Sequence, residues 1–110
     1  MTKLERAALK DVNRIRKAEG RKPLKRLPKG NPHEEYSCPI ANALDSGKVG
    51  IGVDNCIVIP AKRLTAYLKA GMRLVPDETI TLTIPTSFDK FVRWFDEQDD
   101  EEARKLALPL

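Results

Sequence analysis

The segment RKPLKRLPKGNPHEEYSCPIANAL, residues 21–44, sets the organisation of the chain because it joins a basic run, a proline-rich loop and a helix start. Three prolines and a glycine fall within its first half: Pro23, Pro28, Gly30 and Pro32. No helix or strand tolerates that spacing, so residues 21–37 are predicted to form a long ordered loop. Leu24 and Leu27 indicate that part of this loop is held against the core.

A short helix is predicted after the loop. Proline is favoured at the first helical position, so Pro39 indicates a helix start with Cys38 or Ser37 as its cap. Asp45-Ser46-Gly47 is predicted to end this helix. In this interpretation residues 21–44 are mainly a structural corner, and the Cys38 thiol is buried.

Before the segment, residues 3–19 are predicted to form a helix. Thr2 and Glu5 have the spacing of a capping box, and Gly20 suits the left-handed position that ends a helix. At about 100° per residue, the apolar positions share one side: Leu4, Ala8, Val12 and Ile15. A narrow basic stripe, called the basic rail below, falls on roughly the opposite side: Lys3, Arg6, Lys10, Arg14 and Lys17.

After the segment, residues 48–59 are predicted to form a β-hairpin that turns at Asp54-Asn55. A two-residue turn places Ile51 opposite Val58 on an apolar face, where Cys56 also faces Val53. Gly50 and Gly52 then lie on the other face, which is open to a close neighbour.

The rest of the chain alternates helix and strand. Residues 61–71 are predicted to form a helix with Leu64, Tyr67 and Leu68 inward. The alternation in TITLTI predicts a half-buried strand at 79–84. A last helix, capped by Thr86 or Ser87, is predicted to turn four apolar side chains inward: Phe88, Phe91, Val92 and Phe95.

The predicted fold class is α+β, with a small antiparallel three-stranded sheet (hairpin 48–59 plus strand 79–84) packed with about four helices. The 110 residues, 41% of them apolar, fit a single domain. Within residues 1–110 the sequence distinguishes a basic N-terminal helix and Pro-rich loop (1–37), an α+β core (38–95) and an acidic C-terminal helix end (96–110).

A resemblance covers residues Val12 to Leu44. A helix followed by GRKPL, then LPKG, then CPIANAL resembles small uncharacterised proteins of actinobacteria and actinobacteriophages. The resemblance implies that residues 27–30 and 38–44 belong to a shared design. It also implies a bacterial cytoplasm, native or phage-infected, but no activity, and it carries no functional residue to this chain.

Charge is distributed unevenly along the chain. Residues 1–30 contain 11 Lys/Arg against three acids, a net charge of +8, whereas the remaining residues hold 9 against 13, a net charge of −4. A basic arm on an acidic body favours an anionic partner. No apolar run approaches the ~20 residues of a membrane span. The N-terminus lacks the pattern of a secretory signal, which predicts a cytoplasmic protein with reduced cysteines and no membrane partner.

Catalytic and metal chemistry have few candidate residues. A Cys-His dyad would use His33 and Cys38. A structural zinc site needs four ligands. His33, Cys38 and Cys56 would supply three of them, and a carboxylate from Glu34, Glu35 or Asp54 the fourth. Because the chain has no Cys-x-x-Cys pair and no signature of an oxyanion site, a structural role is favoured. We therefore predict no enzyme activity, no metal site and no cofactor.

The basic segment is the strongest functional signal. The rail continues into the loop through a second set of cations: Arg21, Lys22, Lys25, Arg26 and Lys29. At 1.5 Å per residue the rail spans about 20 Å, enough to follow several phosphates of DNA or RNA. This segment has no aromatic residue for base stacking, so binding is expected to depend on backbone charge. Asn13 is the one nearby candidate for a base edge.

Two functions remain open at the level of sequence. The first is a small non-enzymatic protein that binds DNA or RNA through the basic helix and loop. The second is a phage-type or accessory module that engages a bacterial host protein through the acidic C-terminal helix or a sheet edge. In the second case the rail is a solvated helix face or docks on acidic residues.

Overall fold

A computed structural model describes residues 2–51, 56–75 and 81–107, with side chains described as far as residue 97. The helices are α1 (Lys3–Ala18), α2 (Pro39–Asp45), α3 (Leu64–Lys69) and α4 (Thr86–Ala107), and a 3-10 turn at Ala61–Arg63 precedes α3. The strands β1 (Gly50–Ile51), β2 (Cys56–Val58) and β3 (Thr81–Thr83) form one antiparallel sheet in that order. The predicted α+β class with a small three-stranded sheet is confirmed.

The predicted ends of α1 are confirmed. Thr2 Oγ1 accepts a hydrogen bond from the Glu5 N–H at 3.1 Å. Gly20 has φ +73°, and the N–H groups of Gly20 and Arg21 donate to the carbonyls of Lys17 and Arg16 at 3.0 and 2.8 Å. These two bonds form a Schellman motif, which satisfies carbonyls left over at the helix end.

The apolar face of α1 is part of the core rather than a separate arm. Ala8, Val12 and Ile15 are fully buried, and α1 packs against α2, α3 and α4. α2 begins at Pro39 as predicted, and five of its seven residues are buried. Leu27, in the loop, belongs to the same buried cluster.

The predicted hairpin register is wrong by one residue. Gly50 pairs with Val58 and Ile51 pairs with Ile57, so Cys56 and Val58 lie on the outer face of the sheet. A one-residue shift exchanges the two faces of a strand. The observed register places three buried isoleucines inward, Ile51, Ile57 and Ile59, and so removes more apolar surface from water. The predicted turn, with Val53, lies outside the described residues.

The close neighbour predicted at the glycine face of the hairpin is Tyr36. A Cβ atom on Gly50 would lie 2.8 Å from the Tyr36 ring. The Ile51 N–H, on the outer edge of β1, donates to the Glu35 carbonyl at 3.0 Å. The loop before α2 therefore covers both one face and the edge of β1.

β3 pairs with β2, and its central Leu82 is buried as the Thr/Leu alternation predicted. Residues 79 and 80 of the predicted strand lie outside the described residues. An unpredicted segment, 73–75, covers the far edge of β3: the Val75 N–H donates to the Thr81 carbonyl at 2.9 Å, and the Thr83 N–H donates to the Arg73 carbonyl at 2.8 Å. Covered edges protect a sheet against pairing with other chains.

One inward position in α3 was wrongly predicted. Tyr67 is fully buried and Leu64 is half-buried, but Leu68 is 43% exposed. The segment begins as a 3-10 turn, which advances by a larger angle per residue than an α-helix. The buried positions are Tyr67 and, just after α3, Ala70, and Leu68 lies about 100° around the helix from Tyr67 and about 200° from Ala70.

α4 buries Phe88 and Phe91, with Val92 and Phe95 packed at the core boundary, as predicted. The helix begins at Thr86, and the Ser87 hydroxyl donates to Asp11 Oδ2 at 2.5 Å. Ser87 therefore ties α4 to α1.

Gly30 provides the first testable prediction. A Cβ atom there would lie 2.3 Å from the Pro39 nitrogen and 2.5 Å from the Cys38 carbonyl carbon. Because both atoms belong to the backbone, no side chain can move aside. We expect Gly30→Ala to lower the free energy of unfolding by about 3 kcal/mol in urea denaturation.

Gly20→Ala is the matched control. Gly20 has φ +73° but no atom within 4 Å of an added Cβ, so only the left-handed backbone is penalised, by about 1 kcal/mol. A Gly30→Ala protein as stable as the parent would contradict the close approach of the two chain segments.

Candidate nucleic-acid interface

The basic rail is exposed along its whole length. Arg14 forms an ion pair with Asp11 at 2.9 Å. The other four rail cations, Lys3, Arg6, Lys10 and Lys17, have no acidic partner among the described side chains. Surface cations without an internal counterion are available to neutralise phosphates.

The loop after α1 returns beside the helix in the opposite direction. Arg16 Nε donates to the Lys22 carbonyl at 2.8 Å, and Asn13 is hydrogen-bonded to Leu24. Further along the loop, Arg26 lines the same cleft as Glu5. The contacts therefore move towards the N-terminus of α1 as the loop advances.

This course places the loop cations beside the rail. The helix positions that meet the loop, 16, 13 and 5, lie about 60–140° around α1 from the centre of the rail, all on the same side of it. Four predicted loop cations are exposed and have no acidic partner among the described side chains: Lys22, Lys25, Arg26 and Lys29. The two runs of positive charge consequently occupy neighbouring faces.

Arg21, the fifth predicted loop cation, has an internal role. Its Nη1 donates to the Leu44 carbonyl at 2.5 Å and lies 3.5 Å from Glu19 Oε1. Arg16 Nη1 donates to the Ala43 carbonyl at 2.8 Å. The pKa of Arg16 is lowered, mainly by desolvation and to a smaller extent by the nearby positive charge of Arg21. Carbonyls in the last turn of a helix lack donors from that helix. The two arginines supply those donors to α2, which has no basic residue in its last turn.

Asn13 is also engaged internally. Its Nδ2 donates to the Leu24 carbonyl at 3.0 Å, and its Oδ1 accepts from the Leu24 N–H at 2.8 Å. The amide thus pairs with the loop as a neighbouring β-strand would. The one nearby candidate for a base edge thus fastens the loop to α1.

Asn13→Ala should therefore act on stability. The substitution leaves two partly buried backbone groups of Leu24 without partners, so we expect a loss of about 1–3 kcal/mol in the free energy of unfolding. Asn31→Ala, which removes one exposed 3.3 Å bond to Ser37 Oγ, is the control and should cost less. An Asn13→Ala protein with parental stability and weaker binding to one nucleic-acid sequence would instead establish base readout.

The fold places aromatic side chains beside the loop cations. A cleft of about 360 Å³ lies between α4 and the loop. Its aromatic wall is Phe91, Trp94 and Phe95; its other lining residues include Arg26, Pro28, Lys29 and Pro39. The Phe91 ring centroid lies 5.9 Å from those of both Trp94 and Phe95.

Sequence reasoning missed this cleft. The aromatic and basic residues are far apart along the chain, and only the packing of α1 against α4 brings them together. A detectable signal was the lone tryptophan, Trp94, which lies between two inward phenylalanines at a position the core pattern did not require.

His33 and Cys38 do share a small cleft, of about 130 Å³, which Asp96 also lines. The His33 N–H donates to Asp96 Oδ1 at 2.9 Å, and His33 Nδ1 lies 3.7 Å from Asp96 Oδ2. Cys38 Sγ instead accepts from the Ala41 N–H at 3.4 Å as the N-cap of α2. Burial raises the pKa of the Cys38 thiol above its usual value, so the reactive thiolate is disfavoured.

The candidate zinc ligands do not form a metal-binding cluster in the described part of the chain. Within residues 2–51, 56–75 and the described side chains of 81–97, no group of three His, Cys, Asp or Glu side chains could hold a metal ion. Asp54, one of the predicted fourth ligands, lies outside the described residues.

Cys38 should behave as a buried packing residue. In a Cys56→Ser background, we expect a thiol reagent to label Cys38 slowly in buffer and rapidly in denaturant, because the side chain is 3% exposed. Cys38→Ala should lower the free energy of unfolding by ~1–3 kcal/mol through lost packing. Rapid labelling of the folded protein would be inconsistent with this burial.

No protein-family model, curated protein or solved structure shows significant similarity to this chain. Among the helices in the described part of the chain, none has the length and apolar character needed to cross a membrane.

Proposed function

We propose that this chain is a small non-enzymatic nucleic-acid-associated protein that binds phosphates through the basic rail and the exposed loop cations. The observation that carries the proposal is the course of the loop beside α1. It adds four exposed cations to the flank of a five-cation rail. The proposed setting is a bacterial cytoplasm, native or phage-infected.

Acidic charge is sparse on this surface, although Asp11 neutralises one rail cation, Arg14. Residues 1–30 hold three acids. Glu19 is paired with Arg63 and Arg21 inside the fold, and Asp11 is shared by Arg14 and Ser87. Glu5 is the remaining acid on this part of the chain. Clustered cations raise the local concentration of a polyanion and accelerate its association.

A second candidate function is a module that binds a bacterial host protein. The outer face of the sheet supports it: the Tyr36 ring covers Gly50, which pairs with Val58, and the two side chains are 43% and 38% exposed. The sheet edges are less suited to this role, because Glu35 and residues 73–75 already bond to them. An apolar interface of this kind would respond little to salt.

Removing rail charge tests the first proposal. We expect a variant with Arg6, Lys10, Arg14 and Lys17 all changed to Gln to bind duplex DNA and RNA much more weakly in fluorescence anisotropy. The slope of log K against log salt should fall by roughly three units, because each phosphate contact releases about one counterion. The fold should persist, because the buried face of α1 is unchanged.

The matched control removes four exposed lysines from other parts of the chain: Lys48, Lys62, Lys69 and Lys90. This variant has the same net charge as the rail variant, so the two differ only in where the charges were removed. If binding depends on the rail itself, the control should retain most of the parental affinity. Equal binding by the rail variant and the parent at low salt would refute the proposal and favour the protein-binding module.

A further inference from the structure

The cleft between α4 and the loop combines two kinds of surface. Trp94 and Phe95 are partly exposed on one wall, and Phe91 forms a buried base. Arg26 and Lys29 line the same cleft from the loop, and neither has an acidic partner among the described side chains. Glu5 is the one acid among the lining residues.

We infer that this cleft holds one unstacked base of a single-stranded nucleic acid, with the adjoining phosphate on Arg26 or Lys29. The inference rests on the proposed function and names the form of nucleic acid that the surface binds. A nucleotide carries a flat aromatic group next to a negative charge, which matches a cleft lined by both aromatic and cationic side chains. The volume, about 360 Å³, lies within the usual range of small-molecule clefts, about 300–1,000 Å³.

The position of the cleft favours a single strand over a duplex. Glu5 places it near the N-terminal end of α1, so a backbone that follows the basic rail reaches it there. Bases in a duplex are stacked on their neighbours and cannot enter a side-chain cleft without being unpaired. In a single strand each base has a π-face available for an aromatic side chain.

Trp94 is the only tryptophan of the chain, so its fluorescence reports directly on the cleft. The test titrates the full chain with oligothymidylate, with an abasic oligomer of the same length and charge, and with duplex DNA. We expect oligothymidylate to quench Trp94 and to bind about tenfold more tightly than the abasic oligomer, the effect of one base–aromatic stack. Duplex DNA should leave the fluorescence nearly unchanged.

Three variants separate stacking from folding. In fluorescence anisotropy with labelled oligomers, Trp94→Leu should lose the preference for oligothymidylate over the abasic oligomer, whereas Trp94→Phe should keep most of it. Phe95→Leu retains the tryptophan probe, and we expect weaker quenching. Circular dichroism confirms that each variant is folded.

The outcomes distinguish the cleft from the proposed function. If oligothymidylate and the abasic oligomer bind equally without quenching, the cleft inference is refuted while phosphate binding stands. If neither oligomer binds but duplex DNA does, the cleft inference is refuted while phosphate binding stands. If none of the three binds at low salt, the cleft inference and the proposed function are both refuted. A fluorescence change that depends on protein concentration alone would assign the cleft to a second copy and overturn the inference.

Discussion

The close approach of Gly30 to the Cys38–Pro39 peptide is the contact on which the arrangement of the loop depends. It brings the end of the basic segment against the start of α2. Asn42 secures the junction, because its Nδ2 donates to the carbonyls of both Lys29 and Ser37, at 2.8 and 3.1 Å. The Asn31 N–H also donates to the Ser37 carbonyl, at 2.8 Å. Residues 29–38 are thereby closed into a compact turn, and the side chains on either side of it are held in place.

The arginines have two different roles in this structure. Arg16 and Arg21 bond to carbonyls at the end of α2, and Arg63 lies between Glu19 and Asp45, with an Nη2–Oδ2 distance of 2.6 Å to Asp45. These contacts join the C-terminal ends of α1 and α2 to α3. Breaking a partly buried ion pair leaves a charge without compensation, so such contacts are costly to remove. Tyr67 is buried beside them. Its pKa is raised well above the usual value, mainly by burial and to a smaller extent by the nearby negative charge of Glu19. By contrast, Lys22, Lys25, Arg26 and Lys29 have no ion pair among the described side chains.

Local features of the fold were predictable from the sequence, whereas features that depend on tertiary packing were not. The caps of α1 and α2, the apolar face of α1 and the inward phenylalanines of α4 follow from short-range patterns, and the structure confirms them. The hairpin register failed because alternation alone allows two faces, and the burial of three isoleucines decides between them. Asn13 was a candidate for a base edge because of its residue type, and its bonds to Leu24 could not be predicted because they depend on the return of the loop beside α1. The exposure of the rail was predictable, but the positions of the loop cations beside the rail and in the cleft of Trp94 were not.

The structural requirements of phosphate binding and of base binding explain this division. Phosphate attraction is long-range and tolerates flexible lysines, so composition and helical periodicity suffice to predict where it could occur. Base stacking needs an aromatic side chain in a defined position, and that position depends on packing and hydrogen bonds in the surrounding structure. In this chain the supports are the backbone contact at Gly30 and the hydrogen bonds made by the side-chain amides of Asn13 and Asn42. None of these three residues carries a charge. Trp94 and Phe95 would give the surface its selectivity for single strands. The loop that lines the same cleft is held by Gly30, Asn13 and Asn42, which the pattern of charge in the sequence does not reveal.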